Sequence, residues 1–176
     1  SGTNFQQICE YFQQSDKAQV DILIVNKKDA YVRERAKALG IEQRYFTRED
    51  FYNSDKIVDL LTLRKTDLIV LAGFLWLVPQ NLLAAFPNKI VNIHPALLPA
   101  YGGKGMYGHH VHQAVIAARE SKSGITIHYV NEQYDRGDII FQAECSLTDQ
   151  DTVETLEEKI HLLEKEHYPK VIDSIL

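Results

Sequence analysis

Cysteine is scarce in this chain: Cys9 and Cys145 are the only two among 176 residues. They lie far apart in sequence and form neither a CxxC pair nor a Cys/His cluster. This argues against the disulfide framework of a small secreted domain and against a cysteine-based zinc site. We interpret both as reduced thiols and expect a cytoplasmic protein.

The chain also lacks an excess of basic residues, with 19 Lys and Arg against 24 Asp and Glu and a net charge of -5. No basic stripe is available to neutralise phosphates, so we expect no nucleic-acid partner. No apolar run approaches the ~20 residues of a membrane span, and no signal-peptide pattern is present. A small anionic ligand stays compatible with this composition, because its site needs only local donors.

Hydrophobic residues make up 45% of the chain, enough for one full core, and we predict a single domain over residues 1–176. Apolar runs of strand length predict strands over 20–25, 43–46, 68–71, 89–93, 124–130 and 139–145. Helical periodicity predicts helices over 5–14, 30–39, 49–65, 79–86 and 111–118, and a long terminal helix from 149 that is interrupted near Pro169.

This alternation predicts an α/β fold: a Rossmann-like, mostly parallel sheet with helices on both faces and late antiparallel pairing in the last two strands. The opening residues Ser1-Gly2-Thr3-Asn4 are typical of a phosphate loop that leads into a helix, with Thr3 or Asn4 as its cap. The strand that should precede such a loop is missing from the sequence. We expect it to lie before Ser1.

The most informative motif is Asn92-Ile93-His94-Pro95, at the end of the predicted strand 89–93. Side chains two apart on a strand point to the same side, so Asn92 and His94 share one face. Open α/β sheets bind their ligands where such strands end. An amide donor beside an imidazole is suited to stabilising an oxyanion and moving a proton, so both are candidate catalytic residues.

Asp135 is the third catalytic candidate, in the turn-rich loop 131–138 that follows the predicted strand 124–130. A carboxylate beside an imidazole favours the imidazolium, holds its orientation and raises its pKa. We therefore predict that Asp135 pairs with His94, although the sequence contains no distance between them.

Other histidines have more than one interpretation. His109, His110 and His112 lack the four-residue spacing of paired helix ligands, so we predict no metal site there. His128 lies on the same side of its strand as Thr126. It either supports the site or is a packed structural histidine.

Three segments together resemble the glycinamide ribonucleotide formyltransferase family. They are Asn-Ile-His-Pro-Ala-Leu-Leu-Pro at 92–99, Gly-Ile-Thr-Ile-His-Tyr-Val at 124–130 and Asp-Arg-Gly-Asp-Ile-Ile at 135–140. The resemblance runs almost end to end: residues 1–4 resemble the family's phosphate loop, and 71–74 resemble the segment before its folate pocket. It implies the formyltransferase fold.

The resemblance implies direct transfer of the formyl group of 10-formyltetrahydrofolate to the amine of glycinamide ribonucleotide, in de novo purine (IMP) biosynthesis. These two small molecules would be the partners, with the folate as a co-substrate and no metal. By the same resemblance, Asn92 and His94 would stabilise the oxyanion of a tetrahedral intermediate. Asp135 would hold His94 protonated and help to move the amine proton.

The resemblance also implies two sets of binding residues. The ribonucleotide would contact Gly2, Thr3, Asn4, Gly73 and Glu164. The folate would contact Arg48, Leu75, Trp76, Leu77, Val78, Asn92, Val130, Asn131, Glu132, Gln133, Tyr134 and Asp135. Two departures stand out: Trp76 occupies a position where bacterial members carry Arg, and the loop 100–108 is longer and richer in glycine than usual. We interpret that loop as a mobile lid over the folate.

Two kinds of rival hypothesis remain open. One is another formyl-folate enzyme. It is either the catalytic domain of a methionyl-tRNA formyltransferase, which would need a basic C-terminal domain, or a formyltetrahydrofolate hydrolase, which would need a regulatory domain ahead of the core or water rather than an amine beside His94. The other is a non-catalytic module that binds nucleotide or folate. The oligomeric state is open as well.

Overall fold

The structure is a computed structural model, and it describes residues 2–176; Ser1 of the predicted phosphate loop lies outside them. The strands are β1 (Ile22–Val25), β2 (Glu42–Tyr45), β3 (Ile69–Leu71), β4 (Ile90–His94), β5 (Lys122–Tyr129) and β6 (Ile139–Ser146). The helices are α1 (Thr3–Phe12), α2 (Val32–Ala38), α3 (Arg48–Tyr52), α4 (Lys56–Leu63), α5 (Gln80–Ala85), α6 (His109–Ala117) and α7 (Val153–Ile175).

The strands form two hydrogen-bonded groups. Strands β1 and β2 pair in parallel, and the second group has the order β3-β4-β5-β6. Within it β3 and β4 are parallel, whereas β5 runs antiparallel to both β4 and β6. The mixed α/β fold and its late antiparallel pairing, both predicted from the sequence, are confirmed.

Strand β4 separates two hydrophobic clusters, because alternate side chains of a strand point to opposite faces. Ile93 belongs to the cluster built from α1, α6, α7 and β5. Ile90 belongs to the cluster built from α3, α4 and α5. Asn92 and His94 share the parity of Ile90, so they end the strand on the second face, beyond that cluster.

The predicted helix 49–65 is wrong in one respect: it is two helices, α3 and α4. A capping box starts α3, in which Thr47 and Asp50 exchange hydrogen bonds between side chain and backbone. The Ser54 hydroxyl then donates to the carbonyl of Asp50 at 2.7 Å and so satisfies one of the last carbonyls of the short helix. Local side-chain bonds of this kind compete with helix continuation.

Two further details of the prediction are wrong. Gly2 is the N-cap of α1, and Thr3 and Asn4 are its first two residues. Helix α7 continues through Pro169 instead of being interrupted there. Tyr168 and Ile172 are at most 2% exposed on either side of the proline, so tertiary packing holds the helix together despite the lost backbone donor. Within residues 2–176 no helix is both long and apolar enough to cross a membrane.

Candidate active site

A cavity of about 540 Å³ opens beyond the end of β4 and collects most of the predicted site residues. Its lining includes Gly2, Thr3, Asn4, Gly73, Leu75, Trp76, Leu77, Val78, Asn92, His94, Val130, Asn131, Gln133, Tyr134, Asp135 and Glu164. The cavity therefore extends from the start of α1, past the end of β4, to the loop after β5. It brings the predicted ribonucleotide, catalytic and folate residues together.

Arg48 and Glu132 are the two predicted site residues that do not line this cavity. The Arg48 guanidinium carbon lies 5.0 Å from the ring centroid of Tyr52 and 5.5 Å from that of Trp76. Trp76 lines the cavity, so Arg48 stacks on one of its walls. By the family resemblance, position 76 itself carries Arg in bacterial members. In this chain it is Trp76, and an arginine from elsewhere, Arg48, packs on its ring.

His94 is fixed from both sides of its ring and is only 3% exposed. Its Nε2 lies 2.8 Å from the carbonyl oxygen of Tyr101. Its Nδ1 faces Asp135 Oδ2 at 3.5 Å. Because a carbonyl oxygen only accepts, Nε2 carries a proton and donates to Tyr101. The predicted proximity of His94 and Asp135 is therefore present in the structure.

Asp135 reaches His94 from a loop held close to the cavity wall. The backbone N–H of Gly103 donates to Asp135 Oδ2 at 3.0 Å. A side chain at Gly102 would collide with Leu98, because an ideal Cβ there lies 2.5 Å from a Leu98 methyl carbon and 3.3 Å from Asp135 Cβ. Asp135 itself has φ 56°, a left-handed conformation that Asp tolerates better than most residues.

Burial and neighbouring charges act in opposite directions on the pKa values of this pair. Burial raises the pKa of Asp135, but the nearby imidazoles of His128 and His94 and the Gly103 N–H together lower it by more. Burial lowers the pKa of His94 and outweighs the opposite effects of Asp135 and the Tyr101 carbonyl. Asp135 does raise the pKa of His94, as predicted, but burial lowers it by more, so the expectation that Asp135 holds His94 protonated is not met in the structure.

Asn92 faces His128 directly across the antiparallel pair β4 and β5, and His94 faces Thr126. Asn92 Nδ2 lies 3.2 Å from His128 Nε2. Thr126, fully buried, accepts from the Leu98 N–H at 2.9 Å and donates to the Ala96 carbonyl at 2.7 Å. These bonds hold the loop that leads from His94 to Tyr101.

The opposite end of the cavity is formed by the start of α1 and the middle of α7. Gly2 has φ 74°, and an ideal Cβ there would lie 2.6 Å from Val32 Cγ2, so the position requires glycine. The first N–H groups of a helix have no partner within it, which makes them available to an anion. Nearby, Asn4 Nδ2 donates to Glu164 Oε2 at 3.1 Å. Burial raises the pKa of Glu164, against the opposing effect of that bond.

Several cavity-lining residues were not predicted as site residues. They are chiefly Lys104, Met106, Tyr107, His112, Glu157 and His161. His112 is 3% exposed, and its Nδ1 has no hydrogen-bond partner within residues 2–176. The helical spacing that places His112, Val111 and Val115 on the buried side of α6 was a signal for its burial. Within the same residues, no group of three or more His, Cys, Asp or Glu side chains could hold a metal ion.

An α/β sheet that presents an amide, an imidazole and a carboxylate at the end of a strand is equipped for addition to a carbonyl, the chemistry of acyl-group transfer. The sequence matches the family described as "Formyl transferase" over residues 1–172. The chain therefore belongs to the formyl transferase family, and within it to the phosphoribosylglycinamide formyltransferases that the following relatives represent.

The chain is 38% identical over 181 residues to the phosphoribosylglycinamide formyltransferase of Bacillus subtilis, with 100% of this chain and 90% of the relative covered. It is 41% identical over 180 residues to the chloroplastic enzyme of that name from Arabidopsis thaliana, with 99% of this chain but only 62% of the relative covered.

The crystal structure of the Bacillus halodurans phosphoribosylglycinamide formyltransferase superimposes with a TM-score of 0.87 at 37% identity, covering 100% of this chain and 91% of that chain. That of glycinamide ribonucleotide transformylase 1 from Geobacillus kaustophilus has a TM-score of 0.89 at 38% identity, covering 99% and 93%. The family resemblance stated from the sequence is confirmed.

Proposed function

We propose that this chain transfers the formyl group of 10-formyltetrahydrofolate to the amine of glycinamide ribonucleotide, in de novo purine biosynthesis. The observation that carries the proposal is the meeting of Asn92, His94 and Asp135 in one cavity whose far end is the start of α1. In that cavity, we place the formyl carbon beside His94, between the nucleotide and the folate. The names of the relatives support the same reaction.

In the proposed reaction, the substrate amine adds to the formyl carbon and the carbonyl oxygen becomes an oxyanion. Asn92 donates a hydrogen bond to that oxyanion, and His94 stabilises it by its positive charge once Nδ1 has taken up a proton, because its Nε2–H already donates to Tyr101. The proton lost by the amine passes to the His94–Asp135 pair, whose carboxylate stabilises the imidazolium as it forms. Collapse of the adduct breaks the bond from carbon to folate N10, which takes up a proton, so formylated ribonucleotide and tetrahydrofolate leave.

We assign the ribonucleotide to the end of the cavity formed by Gly2, Thr3, Asn4, Gly73 and Glu164. Backbone N–H groups at the start of α1 are suited to a phosphate dianion. A carboxylate such as Glu164 is suited to accepting hydrogen bonds from ribose hydroxyls. The Asn4 bond to Glu164 fixes the direction of both side chains before substrate arrives.

We assign the folate, as a co-substrate, to the opposite end. Its proposed contacts are Leu75, Trp76, Leu77, Val78, Asn92, Val130, Asn131, Glu132, Gln133, Tyr134 and Asp135, with Arg48 behind Trp76. Trp76, Leu77 and Val130 offer apolar and aromatic surface to a flat pterin ring. We propose no metal, because addition of an amine to a formyl group needs only oriented donors and a proton acceptor.

The test is a turnover assay with glycinamide ribonucleotide and 10-formyl-5,8-dideazafolate, followed by the absorbance of the deformylated folate. We expect ribonucleotide-dependent turnover in the purified protein, and none in His94→Ala. Deformylation without ribonucleotide would identify a hydrolase instead. Formylation of methionyl-tRNA in a parallel assay would identify the tRNA enzyme. Binding of both ligands without turnover would identify a non-catalytic module.

We further propose a cytoplasmic protein of one domain, residues 1–176, without nucleic-acid or membrane partners. The net charge of -5 and the two unpaired cysteines support this. The two hydrophobic clusters on either face of β4 support one domain. The Arabidopsis relative is chloroplastic by name, and this chain spans 62% of its length.

A further inference from the structure

His128 is a buried titratable group that the proposed reaction does not use. It is 2% exposed, is the second-last residue of β5 and lines the cavity. Its two ring nitrogens have different partners. His128 Nδ1 is 2.8 Å from the carbonyl oxygen of its neighbour Tyr129, and its Nε2 is 3.2 Å from Asn92 Nδ2.

The first contact determines where one ring proton lies. A carbonyl oxygen only accepts hydrogen bonds, so His128 Nδ1 carries a proton and donates it to Tyr129. In the neutral ring, His128 Nε2 then has a free lone pair and can only accept. An amide N–H is the donor that it meets, because Asn92 Nδ2 lies opposite it in the strand register.

This tautomer fixes the direction of the Asn92 amide. If the amide turned by half a rotation, its oxygen would face the lone pair of His128 Nε2, and two acceptors would meet. With the nitrogen toward His128, one N–H of Asn92 is used in that bond and the second N–H remains for a ligand. Amide direction is set by hydrogen-bond partners of this kind.

We propose that His128 is a positioning residue that acts through Asn92: its neutral ring accepts one Asn92 N–H and so aims the other at the oxyanion. This inference rests on the proposed formyl transfer. It places His128 behind the reacting atoms and gives it no contact with substrate.

Two charged or titratable side chains, Asp135 and His94, lie beside the Asn92–His128 pair. Asp135 Oδ1 lies 3.6 Å from His128 Nε2, on the same side as Asn92, and His94 contacts the other oxygen of that carboxylate. A doubly protonated His128 would donate to Asp135 and would favour the turned Asn92 amide. The Asn92 amide therefore keeps its direction only while His128 Nε2 carries no proton.

Three substitutions of His128 distinguish the acceptor that faces Asn92, the donor that faces Tyr129, and side-chain volume alone. Gln at 128 can place an oxygen near the position of Nε2 and so keep the acceptor. Asn at 128 can keep a donor for Tyr129, near the position of Nδ1, but does not reach Asn92. Met keeps neither. We expect kcat of His128→Gln to stay within about 3-fold of wild type, whereas kcat of the Asn and Met variants falls by roughly 10-fold or more, part of the ~10²–10³-fold that a lost oxyanion donor costs. KM for both substrates should change little in all three.

A double-mutant cycle with Asn92→Ala distinguishes positioning from a structural role. In the Asn92→Ala background the amide is gone, so His128→Asn should lower kcat no further. Equal fold-losses from His128→Asn with and without Asn92 would overturn the proposal, as would equal losses for the Gln and Asn variants. Thermal melting of each variant checks that folding is retained.

A second measurement needs neither turnover nor a variant. ¹⁵N-labelled wild-type protein should show, for the His128 ring, an NMR signature of protonated Nδ1 and unprotonated Nε2 at neutral pH. A doubly protonated ring, or a proton on Nε2, would overturn the proposal. Because this readout is independent of catalysis, it stays decisive if the turnover assay fails or if the substituted proteins do not fold.

Discussion

His94 Nδ1 and Asp135 Oδ2 stand 3.5 Å apart, slightly too far for a hydrogen bond, and the same oxygen accepts the Gly103 N–H at 3.0 Å. The pair is therefore held near contact by the backbone rather than by its own bond. A proton arriving on Nδ1 would turn this approach into a charge-assisted hydrogen bond. The carboxylate is thus placed to stabilise an imidazolium that forms during the reaction.

Replacement of Asp135 by Asn should keep this arrangement but remove its charge. The side-chain oxygen of Asn can still accept from Gly103, so the loop should hold its position. We expect kcat to fall by roughly 10²–10⁴-fold, the usual range for a lost proton-transfer partner. KM for the ribonucleotide should be nearly unchanged, because its proposed contacts lie at the other end of the cavity. Steady-state kinetics with both substrates measure this, and a variant with wild-type kcat would remove Asp135 from the mechanism.

The pH profile of kcat/KM should show an acidic limb at the lowered pKa of His94. Burial, the largest effect, lowers this pKa and Asp135 raises it. The neutral ring that accepts a proton should therefore persist below the usual imidazole range, and activity should be lost only as pH falls through the lowered value. In Asp135→Asn the raising effect disappears, so the acidic limb of the residual activity should move to still lower pH.

The substrate amine provides an internal control for this profile. The amine must be unprotonated to attack, so it contributes its own limb at a pH that belongs to the substrate. That limb should coincide in the wild type and in Asp135→Asn, while the enzyme limb moves. A profile flat across the neutral range, or an acidic limb that moves upward in the variant, would contradict the proposed proton transfer.

Much of this site was predictable because it depends on local patterns. The strand ending at His94 is an apolar run with a polar end, and residues two apart on it must share a face. The loop with Asp135 follows directly on the next apolar run. What was not predictable depends on packing across long separations: Asn92 and His128 meet only through the register of β4 and β5, 36 residues apart.

The errors have the same origin. The pKa of His94 depends on how far burial removes it from water, and residue type alone does not determine burial. The break between α3 and α4 follows from a hydrogen bond of Ser54 to the Asp50 carbonyl, which competes with an otherwise helical pattern. The stacking of Arg48 on Trp76 at the wall of the cavity was likewise not predictable from a local pattern, and its contact with the folate stays a prediction. In each case a tertiary or side-chain contact overrode the local signal.

At neutral pH, the ionised carboxylate of Glu164 should lower the stability of the fold while it contributes to binding of the ribonucleotide. Burial raises its pKa, so the folded state favours the protonated acid more than the unfolded state does. The sign follows by linkage: stability falls as pH rises from the ordinary carboxyl pKa through the raised value, and above it the folded protein holds a partly buried charge. We expect Glu164→Gln, whose oxygen can still accept from Asn4, to raise Tm at neutral pH but not at acidic pH.

The same variant should bind the ribonucleotide less tightly, with a raised KM, because a neutral amide is a weaker acceptor for ribose hydroxyls. Glu158, exposed on the same helix, is the matched control: Glu158→Gln should change neither the pH dependence of Tm nor KM. A lowered Tm at neutral pH in Glu164→Gln would show that the ionised carboxylate stabilises the fold.

Gly2 should tolerate no side chain, for two separable reasons. Its φ of 74° costs an alanine about 1–2 kcal/mol. An added Cβ would also lie 2.6 Å from Val32 Cγ2 and 3.0 Å from the Val32 backbone, and overpacking of this kind costs about 1–3 kcal/mol more. Gly40 is the control, because its φ is 70° and an added Cβ would meet nothing within 4 Å. Gly40→Ala should therefore lose stability through backbone strain alone.

In urea unfolding, Gly2→Ala should lose more stability than Gly40→Ala. It should also raise KM for the ribonucleotide, because relief of the contact with Val32 moves the N–H groups at the start of α1. Equal losses in the two variants, with KM unchanged, would show that α1 and Val32 separate without cost and that the start of α1 does not hold the phosphate.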